Sequence, residues 1–291
     1  MSRILVVGDV MMDVVVRPHE AVAPTSDTPS SVRVARGGSA ANVAVALARR
    51  VPDAEVVFVG CAGSDATAEW ARSSLEESGV IARFQRVEGV TGVVVSLVAP
   101  DGQRAMMTDR GANPRLRVSD VVSEFGDLRH LHVSGYQVLD PATRGDVPYL
   151  LDRARRAGAS TSLDVCSLAP LLAAGVEIFS PSLAHADYLF ANEEEALALS
   201  GASSVDRALD VLASRVRVVV ITRGSRGGLA RDGEQVALAS SAANTVVDTT
   251  GAGDAATGVF LGSHLTGHSV QSALDEAMQY AAQVVARLGA T

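Results

Sequence analysis

Short apolar runs of strand length alternate with runs of helix length through most of this chain, and that alternation commits it to an α/β architecture with a mostly parallel sheet. Residues 3–8 (RILVVG) read as a buried strand, and further strands are expected at 56–60, 129–134, 159–164, 187–191 and 216–222. Helices are expected at 39–50, 66–78, 143–157, 193–200 and 204–214. Two more, at 252–265 and 269–287, are separated by Gly267. Two regions break the rhythm. Residues 13–36 and 83–109 hold shorter runs (DVVVRP, SVRVAR, RFQRV, TGVVVSLVAP, QRAMMT) with a turn signal at Pro100-Asp101-Gly102. They read as antiparallel strands and hairpins forming a small sheet, discontinuous in sequence. It would lie beside a main domain made of 1–12, 37–82 and 110–291.

With 291 residues, 47% of them hydrophobic and 20% charged, the chain can bury a substantial core. The longest apolar runs, such as Val218 to Ile221 and Val93 to Val95, are too short to span a bilayer. The opening MSRILVVGD is strand-like and has no signal-peptide pattern, so a cytoplasmic protein without membrane contact is expected.

The net charge of −8 argues against a general nucleic-acid binder. All 25 basic residues are arginine. Without lysine there is no Walker-A lysine, no Schiff-base lysine and no strand lysine of the protein-kinase type. Any phosphate must be held by backbone amides, arginine or a metal. Cys61 and Cys166 form no Cys-x-x-Cys pair and are expected to be buried thiols. His130 and His132 stand two apart on a strand, hence on one face, with no third metal ligand nearby. A structural role is expected for both.

The sharpest chemical feature is Asp248-Thr249-Thr250-Gly251-Ala252-Gly253-Asp254, followed at once by a helical run. Glycines at the first turn of a helix let a ligand approach the backbone, and the unpaired amides and helix dipole there favour anions. A carboxylate in such a place repels phosphate unless it has a task. Asp254 is suited to accept a proton from an attacking hydroxyl, while the amides of Gly251, Ala252 and Gly253 offset charge on a phosphoryl group. For an isolated Gly-x-Gly-Asp the plainer reading, a favourable first-turn charge, would win; the seven-residue context favours chemistry. A second motif, Gly37-Gly38-Ser39-Ala40-Ala41-Asn42-Val43-Ala44, also opens a helix. Its glycines permit close approach, and Asn42 offers both a donor and an acceptor for hydroxyls.

Together, in this order and near opposite ends of the chain, the two motifs resemble the signatures of the ribokinase-like (PfkB) carbohydrate kinase family. The resemblance extends over essentially the whole chain. It implies a three-layer α/β/α domain with a mostly parallel central sheet and a β-sheet lid drawn from 13–36 and 83–109. It implies in-line transfer from ATP, with Mg²⁺, to a hydroxyl of a small sugar or sugar derivative, with Asp254 as base. Asp13, with Asp9, resembles the substrate-hydroxyl site, alongside Gly37, Gly38 and Asn42. Asn192 and Glu195 resemble the family's Asn-x-x-Glu element, which organises Mg²⁺ through water; the same residues also read as a helix N-cap. Thr222, Gly224 and Gly227 resemble the loop beside the nucleotide, with Thr250 near it, and Gly111-Ala112-Asn113 resembles the return from the lid. The family also suggests a homodimer formed through the lid.

The match is thinner in places. Asp248 and Thr250 would contribute to a monovalent-cation site, but its later ligands are not found before the sequence ends at Thr291, which leaves potassium dependence open. The Asp-x-Asn-x-Arg segment of members acting on acidic sugars is here Asp164-Val165-Cys166-Ser167-Leu168, without the Asn and Arg, which lowers the expectation of a sugar-acid substrate. Arg104, Thr108 and Arg110 are candidates to face the substrate, against the plainer reading of solvated arginines. Tyr136 reads equally as a pocket or a core residue. A nucleoside kinase of the same fold and a non-catalytic sugar or nucleotide sensor are the competing functions. A dinucleotide-binding oxidoreductase is disfavoured because Gly8 lacks the Gly-x-Gly-x-x-Gly spacing.

Overall fold

Within each strand, successive apolar residues point into opposite helical layers. The structure, a computed structural model, describes residues 2–99, 104–243 and 245–286. The strands in chain order are β1 (Ser2–Val7), β2 (Met11–Pro18), β3 (Ser30–Gly37), β4 (Ala54–Gly63), β5 (Ile81–Val87), β6 (Gly92–Val98) and β7 (Arg104–Asp109). They continue with β8 (Leu128–Val133), β9 (Ser160–Asp164), β10 (Tyr188–Asn192), β11 (Val218–Thr222), β12 (Gly228–Asp232) and β13 (Gln235–Ala239). The helices are α1 (Ser39–Ala48), α2 (Ala66–Glu77), α3 (Tyr136–Leu139), α4 (Val147–Arg156) and α5 (Leu168–Ala174). After them come α6 (Ser180–Leu183), α7 (Glu193–Ser200), α8 (Val205–Ala213), α9 (Ala252–Leu265) and α10 (Val270–Val285).

Nine strands form the main sheet in the order β13-β12-β11-β10-β9-β8-β1-β4-β5. It is parallel from β11 to β5 and closed at the other edge by the antiparallel β12–β13 hairpin. Ile4 and Val6 of β1 face the core under α1, α2, α9 and α10, whereas Leu5 and Val7 face the core under α3 to α8. Helices therefore cover both faces, as a parallel sheet requires. No helix among the described residues is long and apolar enough to cross a membrane.

The second sheet has the order β3-β2-β6-β7. Its middle pair, β2–β6, is parallel where an antiparallel sheet was expected. Two hairpins from distant segments lie side by side, and neither hairpin's own sequence dictates that junction. The run RFQRV also departs from expectation: it forms β5, parallel to β4 at the edge of the main sheet, and not a lid strand. Phe84 packs edge-on against Phe58 there, with ring centroids 5.9 Å apart. A strand covered on one face alternates in the same way whichever sheet it joins. The β12–β13 hairpin was not anticipated. The Pro100-Asp101-Gly102 turn lies outside the described residues.

The contact that positions everything else is α1 against α9. Asp254, Gly258 and Gly262 stand at i, i+4 and i+8 on α9, one stripe of the helix. A Cβ at Gly258 would come within 2.6 Å of the Val43 carbonyl and 2.7 Å of Ala46 Cβ; one at Gly262 would meet Arg50 Cβ at 2.6 Å. The missing side chains let the two helices touch backbone to backbone, which aligns their N-terminal ends. Gly258→Val should overpack this seam at a cost of about 1–3 kcal/mol, read as a lower melting temperature. An unchanged melting temperature would show that the seam is not tightly packed.

Candidate active site

Helix α9 begins at Gly251, which adopts a left-handed conformation (φ 74°), and no side chain caps it. The Ala252 amide turns to the Thr249 carbonyl at 3.3 Å; an uncapped helix start leaves its other first-turn donors for a ligand or water. A Cβ at Gly253 would meet nothing within 4 Å, so the space above this turn is open. Asp254 follows, gripped on both oxygens from α1. Ser39 Oγ donates to Oδ1 at 2.8 Å and Asn42 Nδ2 donates to Oδ2 at 2.9 Å. Arg36 Nη1 donates to Asn42 Oδ1 at 3.0 Å, which turns the amide so that its NH₂ faces Asp254. Burial pushes the Asp254 carboxyl up to about 6; the Asn42 and Ser39 donors pull against that, and the Asp164 charge adds to it.

On the lid side, Asp13 lies against the paired glycines. A Cβ at Gly37 would fall 2.1 Å from Asp13 Oδ1, and one at Gly38 (φ 96°) would fall 2.3 Å from the Asp9 carbonyl. Only glycine fits at Gly38, where the clash is with backbone; a side chain at Gly37 would displace the Asp13 carboxylate. Burial pushes Asp13 up to about 6, opposed by Arg36 and reinforced by Asp254 and Asp248. Thr108 shares the Asp13 face of the lid sheet through the Asp13–Val94 and Val94–Thr108 pairings. Arg104 opens β7, and the expectation for its side chain lies outside the described residues.

Asp9, expected with Asp13 to meet substrate hydroxyls, is engaged otherwise. Its carboxylate is buried and taken by Arg110 (Nε to Oδ2 3.0 Å, Nη2 to Oδ1 3.0 Å) and by Gln137 Nε2 at 2.7 Å. Arg110 is bound by Asp140 as well and stacks over the Tyr136 ring at 5.9 Å. It is spent on two carboxylates and braces the lid return to the main domain. Asn113 adds to this brace, exchanging hydrogen bonds with the backbone of Val10 at 3.0 Å each way.

Of the residues expected beside a nucleotide, Asn192 and Thr222 line a small cleft of about 100 Å³ together with Asp164, Glu195, Gly253 and Asp254, whereas Gly224, Gly227 and Thr250 do not. Asn192 and Glu195 form a reciprocal capping box at the start of α7, each backbone amide bonded to the other's side chain at 2.9 Å. Burial pushes Glu195 up to about 7. Gly224 and Gly227, with φ of 55° and 82°, carry the turn after Thr222. Asp248 Oδ1 accepts from both the amide (2.9 Å) and the hydroxyl (2.7 Å) of Thr250, which shapes the approach to Gly251. Among the described residues no group of three or more His, Cys, Asp or Glu could cage a metal. The cleft instead offers oxygen donors from Asp164, Asn192 and Glu195. That set suits Mg²⁺, which keeps several waters and leans on phosphate oxygens.

Volume alone would point elsewhere. A hollow of about 640 Å³ beside β5 is larger, but its Arg72, Arg83, Arg86 and Arg117 are each paired with a carboxylate.

Three residues escaped the motif reading. Ser39 and Arg36 flank Asn42 within or beside the glycine motif, and nothing but tertiary contact assigns them to Asp254. Asp164 sits at the end of β9, where the Cys166 thiol (2.8 Å) and the Gly135 amide (2.6 Å) both donate to its Oδ1. Burial would raise Asp164, but the facing His132 ring, Cys166 and Gly135 outweigh it and hold the carboxyl low. Cys166 has the one positive φ of a non-glycine among the described residues, 72°, which turns its thiol back onto Asp164. It is partly exposed, not fully buried as expected; Cys61 is buried.

Comparison with known proteins gives a consistent picture. The model of the "pfkB family carbohydrate kinase" matches residues 1–291. An ATP-dependent ribose-1-phosphate kinase of Halopiger xanaduensis is 31% identical, over 100% of this chain and 94% of its own. A fructokinase of Vibrio alginolyticus is 29% identical, over 90% and 83%. A ribokinase II structure from E. coli in complex with ATP and Mg²⁺ superposes with a TM-score of 0.89 at 21% identity, covering 100% of this chain and 94% of that one.

The geometry makes the Asp254 titration a direct check. The carboxylate should be ionised above pH 6 and protonated below it, so its ¹³C carboxyl shift should titrate near 6. Asn42→Ala removes a donor that favours the charged form and should move the midpoint upward. A midpoint near that of a solvated aspartate would contradict the buried setting.

Proposed function

The chain belongs to the pfkB family of carbohydrate kinases, and we propose that it transfers the γ-phosphate of ATP to a hydroxyl of a small sugar or nucleoside, with Asp254 as the base. The observation that carries this reading is the grip on Asp254 by Ser39 and Asn42. Two signatures 212 residues apart converge on one carboxylate at the open mouth of a helix N-terminus.

In this reading the acceptor lies between the lid and the paired glycines. Asp13 receives its hydroxyls, and Gly37 and Gly38 let it approach the backbone. Asp254 takes the proton of the reacting hydroxyl, and the amides of Gly251, Ala252 and Gly253 meet the charge of the phosphoryl group. Asn42 and Ser39 hold the carboxylate ionised and aimed. Mg²⁺, bound through water at Asn192 and Glu195 beside Asp164, would offset negative charge on the phosphates. Asp248 and Thr250 are the residues nearest to a monovalent-cation role. ATP as donor puts the work in the cytoplasm.

The acceptor class follows from charge. The groups facing the substrate space are mainly carboxylates, and Arg110 is already neutralised by Asp9 and Asp140. Carboxylates accept from hydroxyls, so a neutral polyol or nucleoside fits better than a sugar acid. The test is ADP release from ATP and Mg²⁺ across sugars, sugar phosphates, sugar acids and nucleosides, with and without potassium. One acceptor class should give turnover, and Asp254→Asn should lower kcat by about 10²–10⁴-fold with the KM for ATP nearly unchanged. Wild-type turnover in that variant would remove Asp254 from the role.

The lid carries a surface for a partner of its own kind. Val34, Val14, Val95 and Met107 pair in one row across all four strands, on the face opposite Asp13. Val32, Val34 and Met107 are 61%, 49% and 54% exposed. A lid-to-lid homodimer would cover this row. Light scattering should report a dimer that Val34→Asp dissociates; a wild-type monomer would refute it.

A further inference from the structure

Arg36, near the end of β3, stands where a charge is hardest to keep. It is only 2% exposed, and its Nε and Nη2 have no hydrogen-bond partner. Arg110 is gripped by two carboxylates and is still partly exposed; Arg36 has no such ion pair among the described residues. Burial pulls its guanidinium down to about 10, with the charges of Asp13 and Asp254 opposing that, so it stays positive at neutral pH. A buried cation with unmet donors weakens a fold, and an apolar side chain of similar length would fill the space without that cost. The one bond Arg36 does make, from Nη1 to Asn42 Oδ1 at 3.0 Å, is where a reason for keeping it can be sought.

A side-chain amide has nearly the same shape either way round, with a donor at one end and an acceptor at the other. The buried Asn42 amide lies between two partners of opposite kind: Nδ2 meets Asp254 Oδ2 at 2.9 Å, and Oδ1 meets Arg36. A guanidinium can only donate and an ionised carboxylate can only accept, so the pair admits one orientation. Turned by half a circle, the amide would set oxygen against carboxylate and NH₂ against guanidinium, two repulsive contacts in place of two bonds. Ser39, the other donor to Asp254, has a hydroxyl that rotates and also lies 3.3 Å from Asp164 Oδ2. Asn42 is therefore the donor whose direction can be fixed. The residue that fixes it comes from the second sheet, where Arg36 pairs with Met12 of β2.

We propose that Arg36 is a positioning residue for phosphoryl transfer: from the lid side it locks the Asn42 amide, which keeps a donor on Asp254 Oδ2 and holds the direction of that carboxylate. The proposal rests on Asp254 acting as the base. Arg36 acts through Asn42 alone. What its position demands is a cation that donates to Asn42 Oδ1, and the unmet Nε and Nη2 are the penalty of supplying it from a buried guanidinium. A lysine at the same place would meet that demand with a single ammonium. A methionine would fill the volume and leave Asn42 free to turn.

The experiment is a double-mutant cycle on Arg36 and Asn42, read as kcat with ATP, Mg²⁺ and the acceptor that the ADP-release screen identifies. Arg36→Met should lower kcat by about 10–100-fold with the KM for ATP nearly unchanged, and Arg36→Lys should recover most of the loss. Added to Asn42→Ala, Arg36→Met should cost nothing further, because the residue it acts through is gone. An arginine needed only for folding would lower kcat in either background. Wild-type kcat in Arg36→Met, no recovery with lysine, or an equal drop in both backgrounds would overturn the proposal. Should Arg36→Met fold poorly, neutron diffraction from deuterium-exchanged wild-type crystals reads the lock directly. The Asn42 deuterons should face Asp254, and deuterons facing Arg36 would refute it. Failure of the base itself would show separately, as full turnover in Asp254→Asn, and would leave the amide orientation as it is.

Discussion

Close packing of α1 on α9 is the contact on which the rest of the structure depends. The two helices come from opposite ends of the chain and meet over Gly258 and Gly262, where any side chain would strike backbone or Cβ atoms within 2.6 Å. Because a helix repeats every 3.6 residues, the stripe that holds these glycines also holds Asp254. The seam therefore delivers the carboxylate to Ser39 and Asn42 with no loop to absorb error. If the helices stood further apart, Asp254 would keep its burial and lose its donors, the costliest arrangement for a charged group.

That burial gives the site its electrostatic character. Asp9, Asp13, Asp164, Asp248, Asp254 and Glu195 crowd the region; Arg110 is bonded to Asp9 and Asp140, and Arg36 to Asn42. The two kinds of carboxylate are kept apart by what surrounds them. Asp164, with a thiol, an amide and an imidazole around it, is held low; Asp13, Asp254 and Glu195, where desolvation dominates, are pushed upward. Carboxylates poised in this way accept protons near neutrality and attract divalent cations. With no lysine in the chain, amides at the starts of α1, α7 and α9 supply the remaining positive potential.

Much of the architecture was legible because its signals are local. The alternation of strand and helix, the glycine turn before α9 and the cap at Asn192 each lie within a few residues. The predicted span 252–265 coincides with α9. The misplacement of β5 has a physical reason: a half-buried strand shows the same alternation in either sheet, and its partner is chosen by Phe58, far away in sequence. The parallel β2–β6 junction and the β12–β13 hairpin were hidden for like reasons, since both depend on which neighbour offers an open edge. Asp9 was the weaker of two candidates beside Asp13, and Arg110, 101 residues on, claims it.

By itself the sequence determined the fold class, the glycine positions and the identity of the carboxylate at the helix mouth, because backbone conformation and helix termini answer to adjacent residues. Only the tertiary structure decided which groups hold that carboxylate and which are spent elsewhere. Arg36, Ser39 and Asp164 became its neighbours, Arg110 and Asp9 neutralised each other, and His130 and His132 lined up with Asp164 beneath α9. Those assignments depend on distances between atoms hundreds of residues apart, and at three ångströms a hydrogen bond either forms or is absent; no local pattern carries that information.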